Sequence, residues 1–207
     1  MLDGVSPPQT SAPDVNPHWD MIDAQLTTEI FGLYAPNNPD LAPEMAEAPI
    51  SATARGGAAQ AARFYVVMFS LASSPDIRAM DMKAKVMWIA NQARSYLPND
   101  SYTSAMYDFV KASYLKGKPW EQVRDQLYLK YQVNQEDGYD ITSRDLYCNG
   151  CFAAGINFAA SMVSLFYGEG DLQKTIKIGS LAGWDSDNPT ATWAGLIGFM
   201  MGKEQVE

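Results

Sequence analysis

The chain has 207 residues, and 15 lysines and arginines against 24 aspartates and glutamates give it a net charge of −9 at pH 7. Proteins that bind nucleic acid neutralise its phosphates with clustered basic side chains, so this acidic sequence, which has no basic patch, excludes nucleic acid as a main partner. Hydrophobic residues make up 47% of the sequence, which excludes wholesale disorder and is enough for one folded core.

The first residues and the two cysteines bear on where the protein works. Residues 1–15 lack the positively charged start and the apolar stretch of a secretory signal, so we expect a cytoplasmic protein. Cys148 and Cys151 are too few for a disulfide scaffold, and we expect reduced thiols in a reducing compartment. A zinc site would need further ligands, and the chain has a single histidine.

A mostly apolar segment of near-membrane length runs from residue 150 to residue 167. It contains Asn157 and two serines, and no lysine or arginine flanks it. A helix that is buried on all sides by its own fold gives the same pattern as a membrane span. We interpret the segment as such a buried helix and expect no contact with a membrane.

The first half of the chain predicts helices separated by prolines and glycines. Residues 1–15 are rich in proline and are expected to form an extended tail or linker. Asn16 can cap a helix that Pro17 opens and whose apolar face continues to Leu33. Further helices are predicted over residues 39–47, 58–72, 75–96 and 101–116.

The second half continues the helical periodicity. Helices are predicted over residues 120–131, 149–167, 171–182 and 189–202, and residues 130–141 are polar and irregular. No stretch shows the period-two alternation of half-buried strands. We therefore expect one all-α domain of about eight helices over residues 16–203.

Two carboxylates stand close together between the last two predicted helices. The segment reads Gly183-Trp184-Asp185-Ser186-Asp187-Asn188-Pro189. Pro189 fits the first turn of the last helix and Asn188 its N-cap, so one interpretation is a helix-capping loop. The other is a metal site, because Asp185 and Asp187 repel each other and have no basic neighbour in sequence. Hard oxygen ligands of this kind suit Mg²⁺, Ca²⁺ or Mn²⁺.

Two more residues are candidates for contact with a substrate or with the metal ligands. Asp23 lies on the apolar face of the first predicted helix, where a buried carboxylate needs a partner. That partner is either the functional site or an arginine from the body of the domain. Trp184 can stack on a base or a sugar, although a large aromatic residue beside a glycine turn can equally be a packing residue.

Other segments accompany the acidic loop in a fixed order. They are Ile22-Asp23-Ala24-Gln25 and Glu29-Ile30-Phe31-Gly32-Leu33 near the start, Asn149-Gly150 before the apolar helix, and Tyr167-Gly168 with Gly170-Asp171 after it. In this order the motifs resemble the ADP-ribosylglycohydrolase family, whose members carry a Gly-x-Asp-x-Asp-Ser/Thr loop before a helix rich in alanine and glycine. The resemblance covers about residues 16–202.

The resemblance implies a fold and a chemistry. The fold would be a compact orthogonal multi-helix bundle, and the reaction would be hydrolysis of the glycosidic bond between ADP-ribose and a protein or small acceptor. The family's loop holds two magnesium ions, which manganese could replace, and Asp185 and Asp187 stand where its ligands do. Such a site would clamp the ribose hydroxyls, place a water and offset charge at the anomeric centre, while an acidic group assists the leaving atom.

The chain departs from the family pattern in two places. In the family a Thr-Asp-Asp motif completes the metal site, and neither this motif nor the family's early Gly-Asp-Ala-x-Gly helix has a counterpart here. We therefore expect an incomplete bundle, the carboxy-terminal part of a larger domain, and no general acid can be named. Asn188 stands where the family has serine or threonine. Its amide oxygen is a weaker ligand and, at an N-cap, would already accept a backbone N–H.

Two hypotheses of different class follow. The first is a magnesium-dependent ADP-ribosylglycohydrolase-like hydrolase that acts on an ADP-ribosylated protein or a small ADP-ribosyl compound, with weak or no turnover by this chain alone. The second is a non-catalytic helical protein that keeps the family fold for structural or ligand-binding purposes. In both, an absent layer of helices would expose apolar surface on residues 150–167 and 189–202, so we expect a homo-oligomer.

Overall fold

A computed structural model describes residues 4–145 and 147–206, and over these residues it contains helices and no strand. The α-helices are α1 (Asp23–Thr27), α2 (Ile30–Tyr34), α3 (Leu41–Thr53), α4 (Gly56–Leu71), α5 (Met82–Arg94), α6 (Tyr102–Leu115), α7 (Trp120–Leu127), α8 (Ala154–Gly168), α9 (Leu172–Ala182), α10 (Asp187–Met201) and α11 (Lys203–Val206). Leaving out the short α1, α2 and α11, eight helices remain. The all-α prediction is confirmed.

Helix α8 forms the centre of the fold. Every residue of α8 except Tyr167 is buried, and α4, α6, α7, α9 and α10 pack around it. Its apolar character thus reflects burial on all sides. No described helix is long and apolar enough to cross a membrane.

The expectation that residues 150–167 expose apolar surface is wrong for α8, because the chain's own helices cover it. On α10 the large side chains divide between two environments: Trp193 is fully buried, whereas Phe199 is half exposed. Self-association itself stays a prediction.

The amino-terminal helices form a second layer on α4. Small buried residues join α1, α3 and α4, among them Ala24, Ala46 and Ala58. Helix α2 approaches α4 so closely that a Cβ on Gly32 would lie 2.3 Å from the carbonyl oxygen of Val66. Glycine is therefore required at position 32 by packing.

Several predicted boundaries are wrong in this layer. The single helix expected from Asn16 to Leu33 is instead a run of turns followed by α1 and α2. The Asn16 carboxamide accepts a hydrogen bond from the His18 amide in a local turn, so it caps no helix. The Thr28 hydroxyl and amide both bond to the carbonyl of Ala24, which closes α1. Helix α3 extends beyond the predicted residue 47, with Pro49 inside it.

The proline-rich start of the chain lies against the helices. Residues Gln9–Ser11 form a 3₁₀ turn that contacts α3, and Ser11 is buried. The Arg55 guanidinium donates a hydrogen bond of 3.0 Å to the carbonyl oxygen of Pro8. The domain boundary at residue 16 stays a prediction.

Cys148 and Cys151 form a disulfide, so the expectation of reduced thiols is wrong. The backbone between them turns through left-handed conformations at Cys148, Asn149 and Gly150. This turn brings the two Cα atoms to 5.5 Å, within the usual range for a disulfide. The cytoplasmic location, for which reduced thiols were part of the reasoning, stays a prediction.

A charged network ties the turn between α8 and α9 to α5 and α6. The Glu169 carboxylate accepts hydrogen bonds from Lys83 at 2.7 Å, Lys174 at 2.9 Å and the Tyr114 hydroxyl at 2.8 Å. These bonds, with that from Lys83 the strongest, lower the pKa of Glu169 to about 2. Glu169 itself has a positive φ of 57°, so the network holds a conformation that glutamate seldom adopts.

Gly32→Ala is expected to lower the free energy of unfolding by about 2 kcal/mol, because the added methyl group would push α2 away from α4. Urea denaturation measures this change. Gly195→Ala is the matched control, since a Cβ on this second helical glycine meets nothing within 4 Å, and it should leave stability unchanged or raise it. Equal effects of the two substitutions would show that α2 and α4 do not pack as closely as described.

Glu169→Gln is expected to lower stability at pH 7 by at most about 1 kcal/mol, because its ion pairs are partly exposed to solvent. A lowered pKa in the folded state contributes stability above the unfolded pKa of about 4.5, and that contribution is lost as pH falls toward 2. Thermal melts between pH 7 and pH 2 should therefore show the parent and the variant converging. The exposed Glu204→Gln serves as a control and should follow the parent, and a constant gap for Glu169→Gln would contradict the network.

Candidate functional site

The acidic pair lies in the tight turn between α9 and α10. Helix α9 ends at Ala182, and Gly183, with φ of 99° and ψ of −168°, reverses the chain in a conformation open only to glycine. Trp184 follows with φ of 55°, which is uncommon for a residue with a side chain. Helix α10 then begins at Asp187. The turn places both carboxylates at the start of a long helix, where negative charge is stabilised.

Asp185 and Asp187 interact directly. Burial, then the negative charge of Asp187, then a hydrogen bond between the two carboxyls raise the pKa of Asp185. Over the described ranges neither carboxylate forms an ion pair with a basic side chain. A divalent cation bound between the two carboxylates would offset the repulsion that raises the pKa of Asp185.

Asn188 is placed differently from its predicted position. Ser186 is the N-cap, and Asn188 is 2% exposed within the first turn of α10, so the prediction of Asn188 as N-cap is wrong. The helix starts earlier because the Asn188 amide already donates to the carbonyl of Asp185. The side-chain oxygen of Asn188 accepts a hydrogen bond of 3.0 Å from Nε2 of Gln25. It is therefore engaged as expected, but by a side chain of α1 and not by a backbone N–H.

The side-chain amides of Asn157 and Gln132 accept hydrogen bonds from residues of the acidic turn. Sequence reasoning missed both roles. Oδ1 of Asn157 accepts the backbone N–H of Asp185 at 3.0 Å, and Oε1 of Gln132 accepts Nε1–H of Trp184 at 2.5 Å. Asn157 is fully buried in α8. An asparagine within an apolar helix needs hydrogen-bond partners. This need is the signal in the sequence that could have identified Asn157.

Asp23 is exposed in the first turn of α1, so the expectation that it is buried is wrong. The buried carboxylate of this segment belongs to Asp20, which forms an ion pair with Arg144. The Arg144 guanidinium also lies 4.6 Å from the ring centre of Trp19. The sequence offers an arginine partner as one alternative for Asp23, and the structure shows such a partner for Asp20 instead. A substrate or supporting role for Asp23 stays a prediction.

Two cavities adjoin the elements of the site. One, of about 410 Å³, lies beside Trp184 and is lined by Arg124, Tyr128 and Leu129 among others. Stacking of a base or sugar on Trp184 stays a prediction, and this cavity is where it would occur. The second, of about 300 Å³, lies between Glu29 and Thr192 of α10.

Glu29 is a half-buried residue that sequence reasoning did not select. Its Oε2 atom is buried without a hydrogen-bond partner, and burial raises its pKa. A carboxyl whose pKa is raised in this way keeps its proton closer to neutral pH, as a general acid must. No three acidic, histidine or cysteine side chains in residues 4–145 and 147–206 gather into a group that could hold a metal ion. The acidic pair therefore stands without a third such ligand within the described part of the chain.

A family model decides the identity of the fold. The model of ADP-ribosylglycohydrolases matches residues 3–207. The chain belongs to the ADP-ribosylglycohydrolase family. Searches of curated proteins and of solved structures find no match. The match confirms the family that the sequence motifs resemble. The all-α fold of the chain agrees with it.

Asp187→Asn is expected to lower the pKa of Asp185, because it removes the negative charge that disfavours ionisation of its neighbour. Carboxyl-carbon NMR titration, without divalent cations, measures the shift. Ser186→Ala, which leaves both charges in place, is the matched control and should not move that pKa. An unchanged Asp185 titration in Asp187→Asn would show that the two carboxyls do not interact.

Proposed function

We propose that this chain carries the magnesium-binding loop of a hydrolase that cleaves the glycosidic bond of ADP-ribose attached to a protein or small acceptor. Family membership supports the class of hydrolase. The observation that carries the proposal is the interacting pair Asp185 and Asp187 in a hydrogen-bonded turn, with a raised pKa at Asp185 and no ion pair to a basic side chain among the described residues. Such a pair gains most from a divalent cation.

The donor set fits magnesium better than zinc. Mg²⁺ usually keeps several of its waters and is held by one or two carboxylates, whereas a structural zinc site needs four nitrogen or sulfur ligands. Asp185 and Asp187 supply two carboxylates. The side-chain oxygen of Asn188 accepts a hydrogen bond from Nε2 of Gln25. If both side-chain amides rotated by 180°, Asn188 would donate to Gln25 instead, and the Asn188 oxygen would be released from this bond. Manganese, which accepts similar oxygen ligands, is the expected substitute.

The surrounding residues position the acidic pair. When bound, the metal would bind ribose hydroxyls, orient a water and offset charge at the anomeric carbon. Asn157 fixes the backbone of Asp185, and Gln25 fixes Asn188 one residue after Asp187. The carboxylates thus need little reorganisation to bind a cation, which favours affinity.

Calorimetric titration with Mg²⁺ should show a binding event that is lost in Asp185→Asn/Asp187→Asn, and its stoichiometry reports whether one or two ions bind. The control is Asp14→Asn/Asp100→Asn, which changes the net charge equally at two exposed positions and should bind like the parent. Loss of binding in both double variants would reflect charge alone. Equal traces for the parent and the Asp185/Asp187 variant would rule out the metal site.

One observation favours the second candidate, a non-catalytic protein that keeps the family fold. The described ranges contain no cluster of three acidic, histidine or cysteine side chains that could hold a metal ion. Hydrolysis assays on ADP-ribosylated arginine, ADP-ribosylated serine and small ADP-ribosyl compounds separate the two, and we expect weak or no turnover by this chain alone. Magnesium binding without turnover would support a binding protein, whereas turnover abolished by Asp185→Asn would support the hydrolase.

A further inference from the structure

Hydrogen bonds connect the segment closed by the disulfide between Cys148 and Cys151 to the acidic turn. We propose that this disulfide is a thiol–disulfide switch that controls the order of the Trp184–Asp185 backbone. The proposal goes beyond the hydrolase assignment and does not depend on metal binding or turnover. It rests on two hydrogen-bonded side-chain amides that connect the disulfide segment to the acidic turn.

The first connection runs through Asn157. Its Nδ2 donates 2.8 Å to the carbonyl oxygen of Cys151, and its Oδ1 accepts the backbone N–H of Asp185 at 3.0 Å. One rigid amide plane therefore joins a cysteine of the disulfide to a carboxylate residue of the site. Because Asn157 is fully buried, water cannot readily replace either bond.

The second connection runs through Gln132. Its Nε2 donates 3.1 Å to the carbonyl oxygen of Asn149, which lies inside the disulfide loop, and its Oε1 accepts Nε1–H of Trp184. Gln132 is 7% exposed. Two successive residues of the acidic turn are thus held by two amides, and both amides take their orientation from residues 149–151.

The disulfide loop is a segment whose conformation needs external support. Cys148 and Asn149 adopt positive φ angles of 47° and 54°, which side chains disfavour, and Gly150 follows at 77°. The cross-link closes the loop around these residues. Once it is opened, the loop can relax to ordinary backbone angles, and the carbonyls of Asn149 and Cys151 then move away from the two amides.

The disulfide is accessible to a reductant, because Cys148 is exposed. One thiolate of a dithiol attacks a cysteine sulfur and breaks the S–S bond, giving a mixed disulfide and one protein thiolate. The second thiol of the reductant then displaces the other cysteine. Both cysteines end as thiols after protonation, and the dithiol ends as its cyclic disulfide.

Hydrogen exchange measured by mass spectrometry tests the coupling. In the oxidised chain the Asp185 amide should be protected by its bond to Asn157. After reduction with dithiothreitol, confirmed by alkylation of both cysteines, exchange at Asp185 should accelerate by about tenfold or more, as expected for loss of one hydrogen bond. Amides of α4 should keep their protection, since among the described residues no hydrogen bond joins α4 to residues 148–151.

Cys148→Ser/Cys151→Ser is the matched control. It should show fast exchange at Asp185 with and without the reductant, whereas Gln132→Ala should loosen Trp184 while keeping the disulfide. Unchanged exchange at Asp185 in the fully reduced parent would overturn the proposal. Equal acceleration at Asp185 and in α4 would also overturn it, because reduction would then unfold the whole protein. Failure of magnesium binding in the earlier titration leaves this result unaffected.

Discussion

The structure depends on one buried amide, that of Asn157, at the first turn of the central helix. It donates to the carbonyls of Cys151 and Ala153 and accepts the N–H of Asp185. Without these partners the amide could not be buried in an apolar helix, because an unpaired polar group in such a place costs about 1–3 kcal/mol. The same bonds therefore fix both where α8 begins and where the acidic turn lies against it.

This arrangement explains how an unfavourable pair of carboxylates can be held together. Repulsion between Asp185 and Asp187 would move a flexible loop, but the turn is anchored at Trp184, Asp185 and Asn188 by side chains from three other parts of the chain. The start of α10 further stabilises the negative charge. Burial and the charge of Asp187 raise the pKa of Asp185, while these hydrogen bonds keep the backbone of the turn in place.

Local signals account for the parts of the fold that the sequence predicted well. Helices were predicted from residues 101 and 171, and α6 and α9 begin directly after these positions because Ser101 and Asp171 accept hydrogen bonds from the amides of Ser104 and Lys174. The predicted helix from Asn16 to Leu33 is wrong for two reasons: the Asn16 side chain bonds to the distant carbonyl of Thr53, and Thr28 closes α1 by bonding to the carbonyl of Ala24. The disulfide was missed because cysteine number and compartment say nothing about a turn in the backbone.

In the candidate site, too, residues with a local signal were predicted and residues that depend on distant contacts were missed. Asp185 and Asp187 could be identified because both stand within one short motif, whereas their supports come from residues far away in sequence. Gln25, Gln132 and Asn157 lie 163, 52 and 28 residues from the positions they hold. Periodicity identifies the helix on which each sits but not the neighbour that it meets, since that depends on how helices pack.

The contact between the amino-terminal helices and α10 contains buried polar atoms that lower the stability of the fold near the site. Gln25 of α1 hydrogen-bonds to Asn188, and Glu29, at the start of α2, lies across a cavity from Thr192 of α10. Along this strip Oε1 of Gln25, Nδ2 of Asn188 and Oε2 of Glu29 are buried without a partner. Such atoms are rare in folded proteins and destabilise them. Apolar side chains at these positions would therefore give a more stable contact between α10 and the amino-terminal helices.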